Sequence, residues 1–262
     1  MPNNRQGYYR QIGKGDASFS SFVPVPLQEI YINVTTEMNR LCEVISERLE
    51  TLETKSDEEL DMLINDEVSD SWALSNNNED TDEEDKQEMA DLRRATEYAF
   101  SALDELPLSG RIIKNAHYLM LQSPRYDKKY PGEFRTSPIW IGHRDTNLQN
   151  AAFIPPTGED MSEAFYQLEQ YINTPQNYSP FIQAALIHYQ FETIHPFIDG
   201  NGRIGRLMVM LFLHNIGLLQ KPVLSLSSNL RKAEKSYYSG ISHVQTVGSY
   251  EKWIDFFLHS LM

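Results

Sequence analysis

From Ile204 to Ile216 the sequence is apolar on nearly every side of a helix, interrupted only by Gly205, Arg206, His214 and Asn215. A helix without a polar face cannot lie on a surface and has to be wrapped by other elements. The rest of the chain offers those elements as amphipathic segments with apolar residues three or four apart. They are Met38 to Leu52, Leu60 to Leu74, Leu92 to Leu103, Ile112 to Met120, Phe165 to Ile172, Leu230 to Val244 and Ser249 to Leu261. Their boundaries carry helix signals: Ser56-Asp57-Glu58-Glu59 reads as a capping box, Ser179-Pro180 as an N-cap with proline at the first helical position, and Gly217 as the stop of the central helix. The helix begun at Ser179-Pro180 is expected to reach about Glu192. The fold class is therefore all-α, a mainly helical domain.

Two stretches depart from this pattern. Residues 1–27 mix glycines, serines and two prolines and read as an irregular N-terminal arm. Between Pro124 and Pro156 five prolines forbid a long helix, while Arg135 to Gly142 and Ala151 to Pro155 are short β-favouring runs around a polar turn, the pattern of a small hairpin. The acidic tract Glu79, Asp80, Asp82, Glu83, Glu84, Asp85 and Glu88 reads as a solvated loop. At 262 residues the chain suits one large domain with an extension. The division expected is the arm at 1–27, N-terminal helices at 28–106 and a core domain at 107–262.

Charge and cysteine content narrow the function classes. Lysine plus arginine number 23 against 37 aspartate plus glutamate, a net charge of −14, which disfavours nucleic acid and anionic membrane as partners. The single cysteine, Cys42, cannot form an internal disulfide, and the polar start of the chain has no apolar stretch behind it; the expected location is the cytoplasm. Leu207 to Leu213 is too short to span a bilayer. No histidine or cysteine pair stands at zinc-ligand spacing. Gly13-Lys14 is not a phosphate loop, because Gly7 is one residue too far upstream and Gly15 stands where a serine or threonine is needed.

The chemistry concentrates in the turn before the central helix, His195-Pro196-Phe197-Ile198-Asp199-Gly200-Asn201-Gly202-Arg203-Ile204-Gly205-Arg206. Gly200 and Gly202 free the backbone for close approach to a ligand, and the first amides of the following helix make an anion site with its dipole. Arg203 and Arg206, three apart, place two guanidinium forks on one face for successive phosphates. Asp199 beside such a nest is a magnesium ligand type, and His195 is the candidate general base.

These twelve residues match every fixed position of the pattern His-x-Phe-x-Asp/Glu-Gly-Asn-Gly-Arg-x-x-Arg, and so the sequence resembles the Fic family of protein adenylyltransferases. Gln190-Phe191-Glu192-Thr193-Ile194, Gly132-Glu133-Phe134-Arg135 and Phe153-Ile154-Pro155-Pro156 extend the likeness over roughly residues 24–262. The resemblance implies AMP transfer from ATP to a serine, threonine or tyrosine hydroxyl of a protein, with release of pyrophosphate. On this sequence it makes His195 the base and Asp199 the ligand of Mg2+. Gly200, Asn201, Gly202, Arg203, Ile204, Gly205 and Arg206 become the phosphate site, and Tyr237 a nucleoside neighbour. It makes the hairpin at Thr136, Ser137, Pro138, Ile139, Trp140, Ile141 and Gly142 a flap that pairs with the target segment as an added strand. The partners implied are ATP and a protein target, the chain itself included; homodimerisation is left open.

Members of this family also carry an inhibitory helix of the pattern Ser/Thr-x-x-x-Glu-Gly/Asn. Ser75 and Glu79 fit it, with Glu79 contacting Arg206 and blocking the γ-phosphate; Asn78 and Asp80 depart from the usual residues. A shifted reading, Ser71 to Ser75-Asn76, puts serine where the glutamate belongs and leaves no brake. Glu79 is preferred because a carboxylate four residues after a serine shares its helical face. Two rival functions stay open: a Fic enzyme that removes AMP or transfers another phosphate-containing group, and a nucleotide-sensing interaction module.

Overall fold

The structure, a computed structural model, describes residues 5–52, 54–76, 81–142 and 145–262. These form ten α-helices and one two-stranded antiparallel sheet. Strands β1 (Gly7–Ile12) and β2 (Phe19–Pro24) precede α1 (Thr36–Leu52), α2 (Asp57–Asn76), α3 (Glu83–Ala102) and α4 (Gly110–Met120). The proline-rich stretch follows, and then α5 (Gly158–Ile172), α6 (Pro180–Ile194), α7 (Asn201–Asn215), α8 (Leu226–Lys232), α9 (Glu234–Val247) and α10 (Tyr250–Ser260).

Helices α6 and α7 are the centre. Every residue of α6 from Phe181 to Ile194 is buried, as is α7 from Arg203 to Leu213. The two pack on each other; α5 and α10 cover α6, while α2, α3 and α4 cover α7. The sequence signals account for the boundaries. Ser56 and Glu59 exchange the capping-box bonds, Ser56 N–H to Glu59 Oε2 at 2.9 Å and Glu59 N–H to Ser56 Oγ at 3.2 Å. Pro180 occupies the first turn of α6, although the Ser179 hydroxyl makes no cap bond. Gly217, at φ 79°, turns the chain after α7, and its N–H bonds the His214 carbonyl at 2.9 Å.

Three expectations change. The N-terminal arm is a hairpin, with Gly7 opposite Pro24 and Ile12 opposite Phe19, turned at positive φ by Gly13 and Gly15. The acidic tract is no loop from Glu83 onward: Asp82 caps α3 in a capping box with Asp85, where carboxylates are favoured by the helix dipole. Asp85 and Glu88 are buried, and Arg125 lies at 2.9 Å from Glu84, 3.0 Å from Asp85 and 3.1 Å from Glu88, compensating the charge. The expected single helix of 230–244 is two, α8 and α9, parted at Ala233.

The hairpin between Pro124 and Pro156 pairs at one place among the described residues, an antiparallel bridge of Ile141 with Phe153. The N-terminal arm continues that pairing: Phe22 N–H donates to the Ile154 carbonyl at 2.9 Å and Ser21 Oγ to the Pro155 carbonyl at 3.0 Å. Phe22, fully buried, sits with ring centroids 5.3 Å from Tyr9 and 5.5 Å from Phe153. The arm thus braces the base of the 136–142 segment. Phe22→Ala is expected to cost about 3–5 kcal/mol in urea unfolding and to speed hydrogen exchange at the Ile141 and Phe153 amides; unchanged exchange there would show that the arm is no brace.

Candidate active site

His195 ends α6 in the left-handed region at φ 50°, its N–H bonded to the Phe191 carbonyl at 2.8 Å. The next residues are pulled into the core. Phe197 is fully buried and stacks on His117 at 3.7 Å between centroids and 7° between planes. The Asn201 side chain clasps the turn, accepting from Phe197 N–H and donating to the Phe197 carbonyl, both at 2.9 Å. Gly200 takes φ 75°, a backbone conformation that favours glycine, and a Cβ there would lie 2.7 Å from Met120 Cε, so the end of that side chain would have to move. The first helical bond of α7 is Ile204 N–H to the Gly200 carbonyl at 3.1 Å, which leaves the amides of residues 201–203 without a helical acceptor.

The same packing fixes the tautomer of His117. Its Nδ1 accepts from Gly132 N–H at 2.8 Å, so Nε2 carries the hydrogen and donates to the Asp199 carbonyl at 3.0 Å. Burial pushes its pKa down to about 4.

His195 has the complementary arrangement. Nδ1 lies 3.2 Å from the Glu192 carbonyl and must donate to it, which leaves the lone pair on Nε2. Burial lowers its pKa to about 4; the bond to the Glu192 carbonyl opposes this, Arg135 adds to it, and Asp199 opposes it. The ring is therefore a neutral base throughout the neutral pH range, with 22% of the side chain exposed. Glu192 Oε2 stands 4.0 Å from Nδ1. Its Oε1 is buried with no hydrogen-bond partner among the described residues, and a Cβ on Gly205 would collide with it. Burial raises the Glu192 carboxyl to about 7, with the charge of Arg206 pulling the other way.

Three buried arginines surround this turn. Arg203, 2% exposed, lies over the Tyr126 ring at 5.3 Å, 3.4 Å from the Tyr126 hydroxyl and 3.7 Å from Asp199 Oδ1. Its Nε and Nη1 have no hydrogen-bond partner among the described residues. Arg206, also 2% exposed, is held by α2: Nη2 donates to the Ser71 carbonyl and to Ser75 Oγ, both at 2.7 Å, and Nε to Ser71 Oγ at 3.1 Å. Among the described residues Arg135 bonds only backbone carbonyls, those of Ile194, His195, Ser137 and Pro156. Asp199 accepts from Gly200 N–H at 2.7 Å through Oδ1 and faces Lys129 Nζ at 3.3 Å through Oδ2.

The Fic/DOC family model matches residues 107–213, the span from three residues before α4 through the end of the apolar run of α7. The chain carries a Fic/DOC-family domain. A stretch of 88 residues is 36% identical to the protein adenylyltransferase Fic of Drosophila grimshawi, covering 33% of this chain and 16% of that protein. A Fic family protein from Desulfovibrio desulfuricans has the same fold, with TM-score 0.71 and 19% identity over 88% of this chain and 73% of the other. The second Fic domain of IbpA, solved covalently tethered to Cdc42, matches with TM-score 0.54 and 18% identity over 88% of this chain and 71% of that one.

The residues marked in sequence, within the matched span and outside it, fall into two groups. His195, Asp199, the amides of residues 201–203, and Arg203 itself converge on the turn. Others are spent elsewhere. The Asn201 side chain closes the turn, so only its amide is left for an anion. Ile204 is fully buried in the core, and Gly205 packs against Phe191 and Glu192 of α6. Tyr237 is 1% exposed with its hydroxyl 3.0 Å from His188 Nε2, and it lies within electrostatic reach of Glu192 and Arg206, as does neighbouring Tyr238, which is 52% exposed. Along the flap Thr136, Ser137, Trp140, Ile141 and Gly142 are exposed, and Pro138 and Ile139 half-buried. Ser75 meets Arg206 together with Ser71, the pair of the shifted reading, while Glu79 lies outside the described residues.

Sequence reasoning missed Glu192, Lys129 and the function of Arg135. A lone carboxylate in an otherwise apolar helix was the available signal for Glu192; for Lys129 none existed, because the fold brings it to Asp199. An NMR titration of the His195 ring is expected to give a midpoint near 4, since a depressed value keeps the ring neutral above it; a midpoint near the ordinary ~6.5 would remove the buried base from this site.

Proposed function

We propose that the Fic domain of this chain is a protein adenylyltransferase that moves AMP from ATP to a protein hydroxyl. The observation carrying this reading is the buried Arg203 guanidinium with two unpartnered nitrogens beside the free amides of α7, a few residues from a base with its lone pair on Nε2. Buried cationic donors left unpaired are costly unless an anion completes them. A triphosphate tail supplies such an anion, with the amides of residues 201–203 and Arg203 on its oxygens.

His195 Nε2 then takes the proton of the target hydroxyl as that oxygen attacks the α-phosphorus, the bond to pyrophosphate breaks, and the cationic site holds the departing charge. Asp199 suits Mg2+: its carboxylate is partly open, and hard oxygen ligands with the rest of the sphere from phosphate and water are this ion's habit. Bound there, the ion would neutralise phosphate charge; Lys129 would have to yield Oδ2. The exposed flap from Thr136 to Gly142 is the edge along which a target segment would lie. The adenylyltransferase name of the Drosophila relative and the Cdc42 tethered to the IbpA domain support a protein substrate.

The hydrogen bonds of Arg206 support a restraint by neutral acceptors, with the carboxyls of Glu67 and Glu192 within electrostatic reach. Two serines one helical turn apart and a carbonyl hold it, so a γ-phosphate competes with neutral acceptors, against which charge-assisted bonds prevail. This reading has Ser71 and Ser75 restrain Arg206; the part of Glu79, which lies outside the described residues, is decided by the labelling of Glu79→Gly. Self-labelling with AMP is expected to vanish in His195→Ala while ATP binding by calorimetry persists, to fall about 10-fold or more in Ser75→Glu, and to stay within about twofold in Glu79→Gly. Faster labelling by Glu79→Gly would return the brake to that glutamate, and undiminished labelling by His195→Ala would remove the proposed base.

A further inference from the structure

Arg135 is 4% exposed, yet it makes no ion pair among the described residues. Its guanidinium ends on carbonyl oxygens: Nε donates to His195 at 2.8 Å, Nη2 to Pro156 at 2.7 Å and to Ile194 at 3.1 Å, and Nη1 to Ser137 at 3.3 Å. Its own N–H donates to the Pro196 carbonyl at 2.9 Å. These acceptors belong to three segments: the end of α6 with the base, the first arm of the flap, and the chain that leaves the second arm.

We propose that Arg135 is a positioning residue that fixes the target-binding flap relative to His195 and thereby sets the hydroxyl against Nε2. The inference rests on the transferase reading above. The carbonyls of Ile194 and His195 are those a helix end leaves without partners, and His195 is held at a positive φ that a residue with a Cβ adopts at a cost. One planar fork satisfies these carbonyls and those beside the flap at once, so a shift of the flap is transmitted to the base. A lysine, with a single nitrogen on a flexible stem, keeps the charge but cannot span the three segments. Arg135 also faces His195 electrostatically and favours its neutral ring. Among the described residues, Glu192 of α6, with Oε2 4.0 Å from Nδ1, and Asp199 of the turn also face that ring.

Arg135→Lys and Arg135→Gln in the full chain test this. With Arg135→Lys, ATP affinity by calorimetry is expected to stay within about twofold of wild type while AMP transfer to protein falls about 100-fold, the scale of an ångström of misplacement. With Arg135→Gln the midpoint of the His195 ring in an NMR titration is expected to rise, and in both variants the amides of His195 and Ser137 exchange faster. Transfer that is unchanged in Arg135→Lys, or that falls only in step with ATP affinity, would overturn the proposal. Unaltered exchange at His195 and Ser137 would overturn it as well. Should the wild-type chain transfer no AMP, the transferase reading fails, and the exchange and titration results decide the positioning role alone. If Arg135→Gln does not fold, the Arg135→Lys results decide it.

Discussion

The side-chain amide of Asn201 holds the turn between α6 and α7 closed by exchanging two hydrogen bonds with the backbone of Phe197, and the site depends on that closure. With the turn tight, Phe197 is driven into the core against His117, and His117 in turn holds the Asp199 carbonyl. His195 is left at the end of α6 and the free amides at the start of α7, a few residues apart in chain and joined by a rigid loop. The helices themselves cannot slide to adjust, because both are buried on nearly all sides. A site built this way is preorganised by packing, which is the condition under which fixed dipoles and charges act on a reacting group most strongly.

The electrostatics of the site run against those of the whole chain. The net charge is −14, yet Arg135, Arg203 and Arg206 are buried around one turn. Each is handled differently. Backbone carbonyls satisfy Arg135, and the serines of α2 satisfy Arg206. Arg203 keeps two nitrogens unmatched, shielded by the Tyr126 ring. The deficit in partners is therefore local, and it lies beside the amides of α7. Among the described residues no helix is long and apolar enough to cross a membrane.

The helical frame was legible wherever a wide apolar stripe ended in a capping signal, as at Ser56, Ser179-Pro180 and Gly217. The twelve-residue turn was legible because its residue types are dense and its spacing fixes who can meet. Side-chain direction was not. Asn201 sits inside that turn, but only the fold shows that its amide faces Phe197. The N-terminal hairpin escaped because its glycines and serines resemble a loop, and its pairing depends on Phe22 finding Phe153 far along the chain. The buried acids of α3 escaped because their counter-charge, Arg125, comes from another segment. Arg135 escaped for a deeper reason: its partners are backbone carbonyls, which have no residue identity for a sequence to display.

A crystal structure with a non-hydrolysable ATP analogue tests the central claim most directly, that this turn is a triphosphate site with a base at its edge. The account requires the phosphates against the amides of residues 201–203 and the free nitrogens of Arg203, with His195 Nε2 on the side of the α-phosphorus away from the leaving pyrophosphate. It also requires Arg206 released from Ser71 and Ser75. An analogue bound elsewhere at saturating concentration, with the turn empty and Arg206 still on α2, would contradict it.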